Sequence, residues 1–236
     1  MMLHELLAVS AQRGPDTVAV RLKNEQFTYG ELDLRSGRLA ACLADAGVRP
    51  GDRVGIYMEK SPDAVAAIFA ALKCGACYVP LDPTGPPDRQ VLIINDSGIE
   101  HLIVSTGKLA PTARIAAGCR QLKRVYVADR NPAAPARDIP GVRVALPAEI
   151  FHADPHVPAG GLLNAARPAY CLYTSGSTGQ PKGVVISHSA SLAFVNWARE
   201  TFSVDHRDVV SSHAPYHFDL SIFDIFASVK AGAAIC

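Results

Sequence analysis

The sequence predicts an α/β protein built of layered βαβ sheets with helices on their faces. Three observations predict this class. Apolar residues at helical spacing alternate along the chain with short apolar runs of strand length. Residues 54–80 read as strand, helix, glycine and strand, a βαβ unit of the usual size of about 30 residues. The ten residues Ile68–Cys77 are echoed by Ile225–Ala234: each is an apolar helix end, a lysine, a small residue, a glycine and a strand start. The echo points to two α/β layers built alike, the alternative being the ordinary grammar of a helix-to-strand joint.

In order, Met1–Gly14 reads as a short amphipathic helix with Leu3, Leu6 and Leu7 on one side. Thr28 and Glu31 form a capping box, stapled by Phe27 and Leu32. The helix they open runs through Leu39, Ala40 and Leu43 to a stop at Gly47. Pro50-Gly51-Asp52 is a turn, and Val54–Met58 a strand. Ser61-Pro62-Asp63 starts the next helix with a cap, a first-position proline and an acid at the positive dipole end. Its body, Ala64–Leu72, is apolar on all sides and therefore buried; Gly75 ends it and Tyr78-Val79-Pro80 leaves as a strand.

A helix follows over Asp88–Asp96, then strands at His101–Ser105 and Val125–Val127. Residues 131–168, rich in Pro, Ala and Gly, read as surface loop with short extended pieces. Strands are expected at Ala169–Tyr173, Val184–Ser187 and Val209–Ser212. Helices are expected at Leu192–Phe202 and at Ile222–Ala231, the latter closed by Gly232.

Of 236 residues, 49% are hydrophobic and 19% charged, a balance that excludes intrinsic disorder. Lys and Arg number 23 against 22 Asp and Glu, so no global field draws the chain to nucleic acid or to an anionic membrane. No apolar run approaches the ~20 residues of a membrane helix, and no secretory signal opens the chain; a cytoplasmic protein is expected. Cys74-Gly-Ala-Cys77 has redox or metal spacing, but it falls across a helix end and a strand start, with no second pair or nearby His pair to complete a site. No metal-ligating set is assigned.

The stretch Tyr173-Thr-Ser-Gly-Ser-Thr-Gly-Gln-Pro-Lys-Gly183 carries the chemistry. Its three glycines let backbone N–H groups approach an anion, its four Ser/Thr hydroxyls can donate to phosphate oxygens, and Lys182 adds a positive charge. A Walker loop does not fit: the sixth position from Gly176 is Pro181, Lys182 is followed by Gly183, and a strand rather than a helix comes next.

This string resembles the phosphate loop of the adenylate-forming superfamily, which includes nonribosomal peptide synthetase adenylation domains, amino acid–carrier protein ligases and acyl-CoA synthetases. Phe27-Thr-Tyr-Gly-Glu-Leu32, Pro50-Gly-Asp-Arg-Val54, Cys77-Tyr-Val-Pro-Leu-Asp-Pro83 and Phe218-Asp-Leu-Ser221 resemble further landmarks in the same order. The resemblance implies activation of an amino acid carboxylate by ATP, with Mg²⁺, to aminoacyl-AMP and pyrophosphate. Transfer to the phosphopantetheine thiol of an acyl or peptidyl carrier protein follows. It implies that Thr174, Ser175, Gly176, Ser177, Thr178 and Gly179 cover the outer phosphates and that Lys182 steadies the loop. Asp219 would pair with the substrate ammonium, Phe218 would form a pocket wall, and Leu220 and Phe223 would line the pocket after it. The bland role for Asp219 is capping of the helix that begins near Leu220. His188, His213 and His217 are read as structural, Trp197 and the Phe194 face as core, and Asp224 as a surface or pairing acid.

The resemblance also implies that residues 1–236 are an incomplete N-terminal portion of the large adenylation subdomain. The small C-terminal subdomain and its catalytic Lys would lie beyond Cys236, so no catalytic residue is assigned within the chain and the fragment alone is expected to be inactive. The competing readings are an acyl-CoA synthetase of a non-amino acid, against which Asp219 argues, and a non-catalytic nucleotide- or carrier-protein-binding fragment.

Overall fold

A computed structural model describes residues 1–129, 138–155, 164–175 and 180–236. Two sheets organise them. The larger has seven strands in the order β7-β6-β5-β3-β4-β8-β9, with β3 (Arg53–Tyr57), β4 (Cys77–Pro80), β5 (His101–Val104), β6 (Arg124–Val127), β7 (Arg143–Ala145), β8 (Pro168–Ser175) and β9 (Pro181–Ser187). All its neighbours run parallel except β8 and β9, which form an antiparallel pair. The smaller has four strands, β10-β11-β1-β2, from β1 (Val18–Leu22), β2 (Glu25–Thr28), β10 (Val209–Val210) and β11 (Ala234–Ile235).

The expected α/β layering therefore holds. Val18–Leu22 and Glu25–Thr28 pair as a hairpin that the sequence pattern does not announce. Its turn lacks the Asn-Gly or Asp-Gly signal and instead places Lys23 in the left-handed region, at φ 53°.

Helix α1 (Leu3–Arg13) buries Leu3, Leu6 and Leu7 as its amphipathic pattern requires. Helix α2 (Tyr29–Asp45) opens on the capping box: Thr28 Oγ1 accepts from the Glu31 N–H at 3.2 Å and Glu31 Oε2 accepts from the Thr28 N–H at 2.9 Å. Helix α3 (Pro62–Lys73) is buried over its whole length. The Asp63 carboxylate at its start is buried and paired with Arg35 at 2.5 Å, and that guanidinium also lies over the rings of Phe27 and Phe151. A buried charge of this kind persists only because its partner is buried with it. Lys73 at the other end of α3 pairs with Asp33 at 2.8 Å, so both ends of this apolar helix are tied to α2.

The echoed segments meet in space. Phe69 and Phe226 occupy the same place in the two ten-residue patterns, and their rings pack edge to face at 5.6 Å. Each segment turns through a left-handed glycine, Gly75 at φ 69° and Gly232 at φ 78°, into a strand of a different sheet. The final helix is not uniform: Phe223–Ala227 forms a π-turn that runs into α8 (Ser228–Ala231).

Helix α4 (Pro87–Ser97) lies where the sequence places it, α7 (His188–Thr201) begins four residues before the expected Leu192, capped by the Ser187 hydroxyl that accepts from the Ala190 N–H at 3.2 Å, and α5 (Leu109–Gly118) is additional. Within the stretch expected to be loop, the described residues include the short strand β7 and a one-turn helix, α6 (Pro147–Phe151). This helix buries Ile150 and brings Phe151 to Arg35. Its two apolar anchors are too few to stand out from a Pro- and Ala-rich background.

Candidate functional site

Parallel strands leave a crevice beyond their carboxyl ends, where ligands of open α/β sheets bind. Here β4 and β8 end side by side, β4 delivering Asp82 two residues past Pro80 and β8 delivering Thr174 and Ser175. Between these ends, α7 and the turn 217–223 lies a cavity of about 830 Å³, whose lining includes Thr174, Ser175, Phe218, Asp219, Leu220 and Phe223. Two segments 43 positions apart, from Ser175 to Phe218, thus share one cavity. Gly176, Ser177, Thr178 and Gly179 lie outside the described residues. Lys182 sits on β9 opposite Thr174; its side chain is exposed and is not part of the described lining.

The turn that presents Asp219 is fixed by its own sequence. Ser221 is buried, and its hydroxyl donates to the Phe218 carbonyl at 2.6 Å. The Asp219 carbonyl accepts from the Ile222 N–H at 3.0 Å, but among the described residues its carboxylate accepts no hydrogen bond. The capping alternative therefore loses its geometric basis, and Asp219 lines the cavity. The π-turn begins four residues later; such turns widen the helix locally and concentrate at functional sites. Phe223, its first residue, faces the cavity, whereas Asp224 turns inward. Burial pushes the Asp224 carboxyl up, opposed by Lys60, so Asp224 is a buried acid held near a lysine and not a surface one.

Several lining residues were not read from the sequence: Asp82, Arg89, Tyr170 and Ile222. Burial opposes ionisation of Asp82, but the Thr84 hydroxyl and amide, both at 2.8 Å, outweigh it and hold the carboxyl below its usual range. Burial pushes the His217 imidazole down, opposed by the charge of Asp82 and aided less by that of Arg89. Tyr170 is raised by burial and by the charge of Asp219. The position of Asp82 just past a parallel strand was a legible signal; Arg89, a cation in the first turn of a helix where the dipole disfavours it, was another.

Phe194 and Trp197, expected in the core, are corrected by the structure. Trp197 is 55% exposed, Phe194 is 41% exposed and lines the cavity, and the two rings lie 5.9 Å apart. Helical spacing identified a shared face but could not say what, if anything, covers it. His188 is structural as expected: its Nδ1 accepts from the Leu3 N–H at 3.2 Å.

Among the described residues no three His, Cys, Asp or Glu side chains converge to hold a metal ion, and no helix is long and apolar enough to cross a membrane. Cys74 and Cys77 are both buried free thiols, Cys74 bonded to the Ala40 carbonyl at 3.2 Å.

The profile of the AMP-binding enzyme family matches residues 7–236. The chain belongs to this family. It is 36% identical over 235 residues to the L-proline:L-prolyl-carrier protein ligase of Pseudomonas fluorescens, covering 100% of this chain and 44% of that protein. It is 34% identical over 233 residues to surfactin synthase subunit 1 of Bacillus subtilis, covering 99% of this chain and 6% of that one. Among solved structures, the nonribosomal peptide synthetase FmoA3 in its alpha-methyl-L-serine-AMP bound form superimposes with a TM-score of 0.79 at 29% identity, over 100% of this chain and 23% of that one. This AMP-binding enzyme chain thus spans less than half the length of these relatives, and its fold is that of the N-terminal part of adenylate-forming enzymes.

Proposed function

We propose that this AMP-binding chain contributes the phosphate- and substrate-binding half of an enzyme that activates an amino acid. In the proposed reaction a substrate carboxylate oxygen attacks the α-phosphorus of ATP. The bond from that phosphorus to the bridging oxygen breaks, pyrophosphate leaves, and aminoacyl-AMP forms. A phosphopantetheine thiol of a carrier protein then attacks the acyl carbon; AMP departs and the thiol proton passes to solvent. The complete activity is assigned to a polypeptide of the relatives' greater length.

One observation carries this reading: a single cavity is lined both by Thr174 and Ser175 and by Phe218, Asp219, Leu220 and Phe223. Transfer of the adenylyl group to a carboxylate oxygen needs the two reactants held in line, and such positioning supplies much of the catalysis. Thr174 to Gly179 would hold the outer phosphates, with Lys182 bracing the loop from β9. The Asp219 carboxylate, lacking a protein partner among the described residues, suits a substrate ammonium group, because each charge offsets the desolvation of the other. Phe218, Leu220 and Phe223 give the side chain of the acid an apolar surface. Mg²⁺ is implied by the family, but the described residues form no cage for it, and no step is routed through it.

The test is ATP–pyrophosphate exchange by the intact polypeptide against α-amino, β-amino and plain carboxylic acids. Exchange with an amino acid is expected, reduced on the order of tenfold or more by Asp219→Ala, the worth of a charged hydrogen bond to the ammonium. Exchange with plain acids and with no amino acid would overturn the reading.

A further inference from the structure

We propose that Arg89, at the start of α4, is the cation that binds the outer phosphates of the nucleotide and the pyrophosphate it releases. The inference rests on the nucleotide reading of the cavity given above.

The charge balance of the cavity leads there. Its described lining includes two carboxylates, Asp82 and Asp219, and a histidine, His217, whose imidazole burial pushes down. A polyphosphate with up to four negative charges would be repelled by such a wall. Lys182, the cation the loop sequence offers, does not reach the described lining. Arg89 does, and among the described lining residues it is the one permanent cation.

Its guanidinium is also available. Among the described residues Arg89 donates no hydrogen bond and forms no ion pair, unlike Arg35 and Lys108, which are engaged with Asp63 and Glu59. Neighbouring groups hold Arg89 in place without occupying it. The following residue, Gln90, is buried and its Nε2 donates to the Asp82 carbonyl at 2.9 Å, pinning the first turn of α4 to the end of β4. Near the other end of α4, Asp96 accepts from the Tyr173 hydroxyl at 2.6 Å, pinning the helix beside the strand that ends in Thr174 and Ser175. Arg89 is seven residues before Asp96, two helical turns along the same face, and lines the cavity together with Thr174 and Ser175. A planar fork of N–H donors in the same cavity wall as two hydroxyls suits tetrahedral phosphate oxygens, which accept from both.

The experiment is calorimetric titration of the intact polypeptide with ATP, inorganic pyrophosphate and AMP, in wild type, Arg89→Ala and Arg89→Lys. Arg89→Ala is expected to weaken ATP and pyrophosphate on the order of tenfold or more, the worth of a charged hydrogen bond, with AMP within about twofold. Arg89→Lys, which keeps the charge without the fork, should fall between. If wild type binds ATP and Arg89→Ala binds ATP and pyrophosphate equally well, the assignment fails and the nucleotide reading stands. If AMP weakens as much as ATP, Arg89 supports the cavity as a whole and the assignment is again overturned. If wild type binds neither ATP nor pyrophosphate, the nucleotide reading itself falls and the role of Arg89 falls with it.

Discussion

The Ser221 hydroxyl donates to the Phe218 carbonyl at 2.6 Å, closing the turn that carries Asp219 between them. The serine of the Phe-Asp-Leu-Ser string is therefore a clamp on its phenylalanine, and the acid it frames lines the cavity.

Ser221→Ala removes this bond and a weaker one to the Tyr216 carbonyl at 3.3 Å. Because the site is buried, the loss should cost about 1–2 kcal/mol of stability. A loosened turn should also raise the KM for the amino acid several-fold more than that for ATP. Denaturant midpoints and steady-state exchange kinetics read the two effects separately; an unchanged KM for the amino acid would show that the clamp does not aim Asp219.

The pH dependence of folding should carry the signature of His188. Burial first, and then the charge of His4, lower its imidazole from 6.5 to about 4. Below pH 6.5 the unfolded chain takes up a proton that the folded chain refuses until about pH 4. This stability is thus present above pH 6.5 and is lost as the pH falls toward 4, to a total of about 3 kcal/mol. His4, also lowered by burial, adds in the same direction. Denaturant midpoints for wild type and His188→Asn at pH 7 and pH 5 isolate the contribution; equal slopes against pH in the two proteins would refute it.

The cysteine pair should be chemically silent. Burial raises both the Cys74 and the Cys77 thiol to about 12, and Cys74 sits on the helix side of Gly75 while Cys77 opens β4. In the native protein at pH 8, a thiol reagent should modify exposed Cys236 first and leave Cys74 and Cys77 untouched until denaturant is added. Mass spectrometry of peptides after brief labelling locates the modified sites. Early labelling of Cys74 or Cys77 would return the pair to consideration as a redox site.

Local signals are legible where a short stretch decides its own structure. The Thr28–Glu31 capping box, the proline start of α3 and the glycine stops at Gly75 and Gly232 depend on hydrogen bonds or backbone angles within a few residues, and each was present in the sequence. The hairpin of β1 and β2 was missed because its turn is tolerated rather than specified, and α6 because its anchors are few. For the site, the residue types around Thr174 and Asp219 were legible, but their meeting in one cavity was not.

The sequence by itself determined the α/β alternation, the presence of most of the main helices and the Gly- and hydroxyl-rich composition of residues 173–183, because propensity, capping and glycine conformation act over one or two turns of chain. Tertiary structure alone decided that Asp63 is a buried partner of Arg35, that Trp197 is exposed, and that Arg89 rather than Lys182 joins the described wall of the cavity. Those outcomes depend on which strand ends lie beside one another and on what covers a helix face. They are set by long-range packing, which no local pattern of residues encodes.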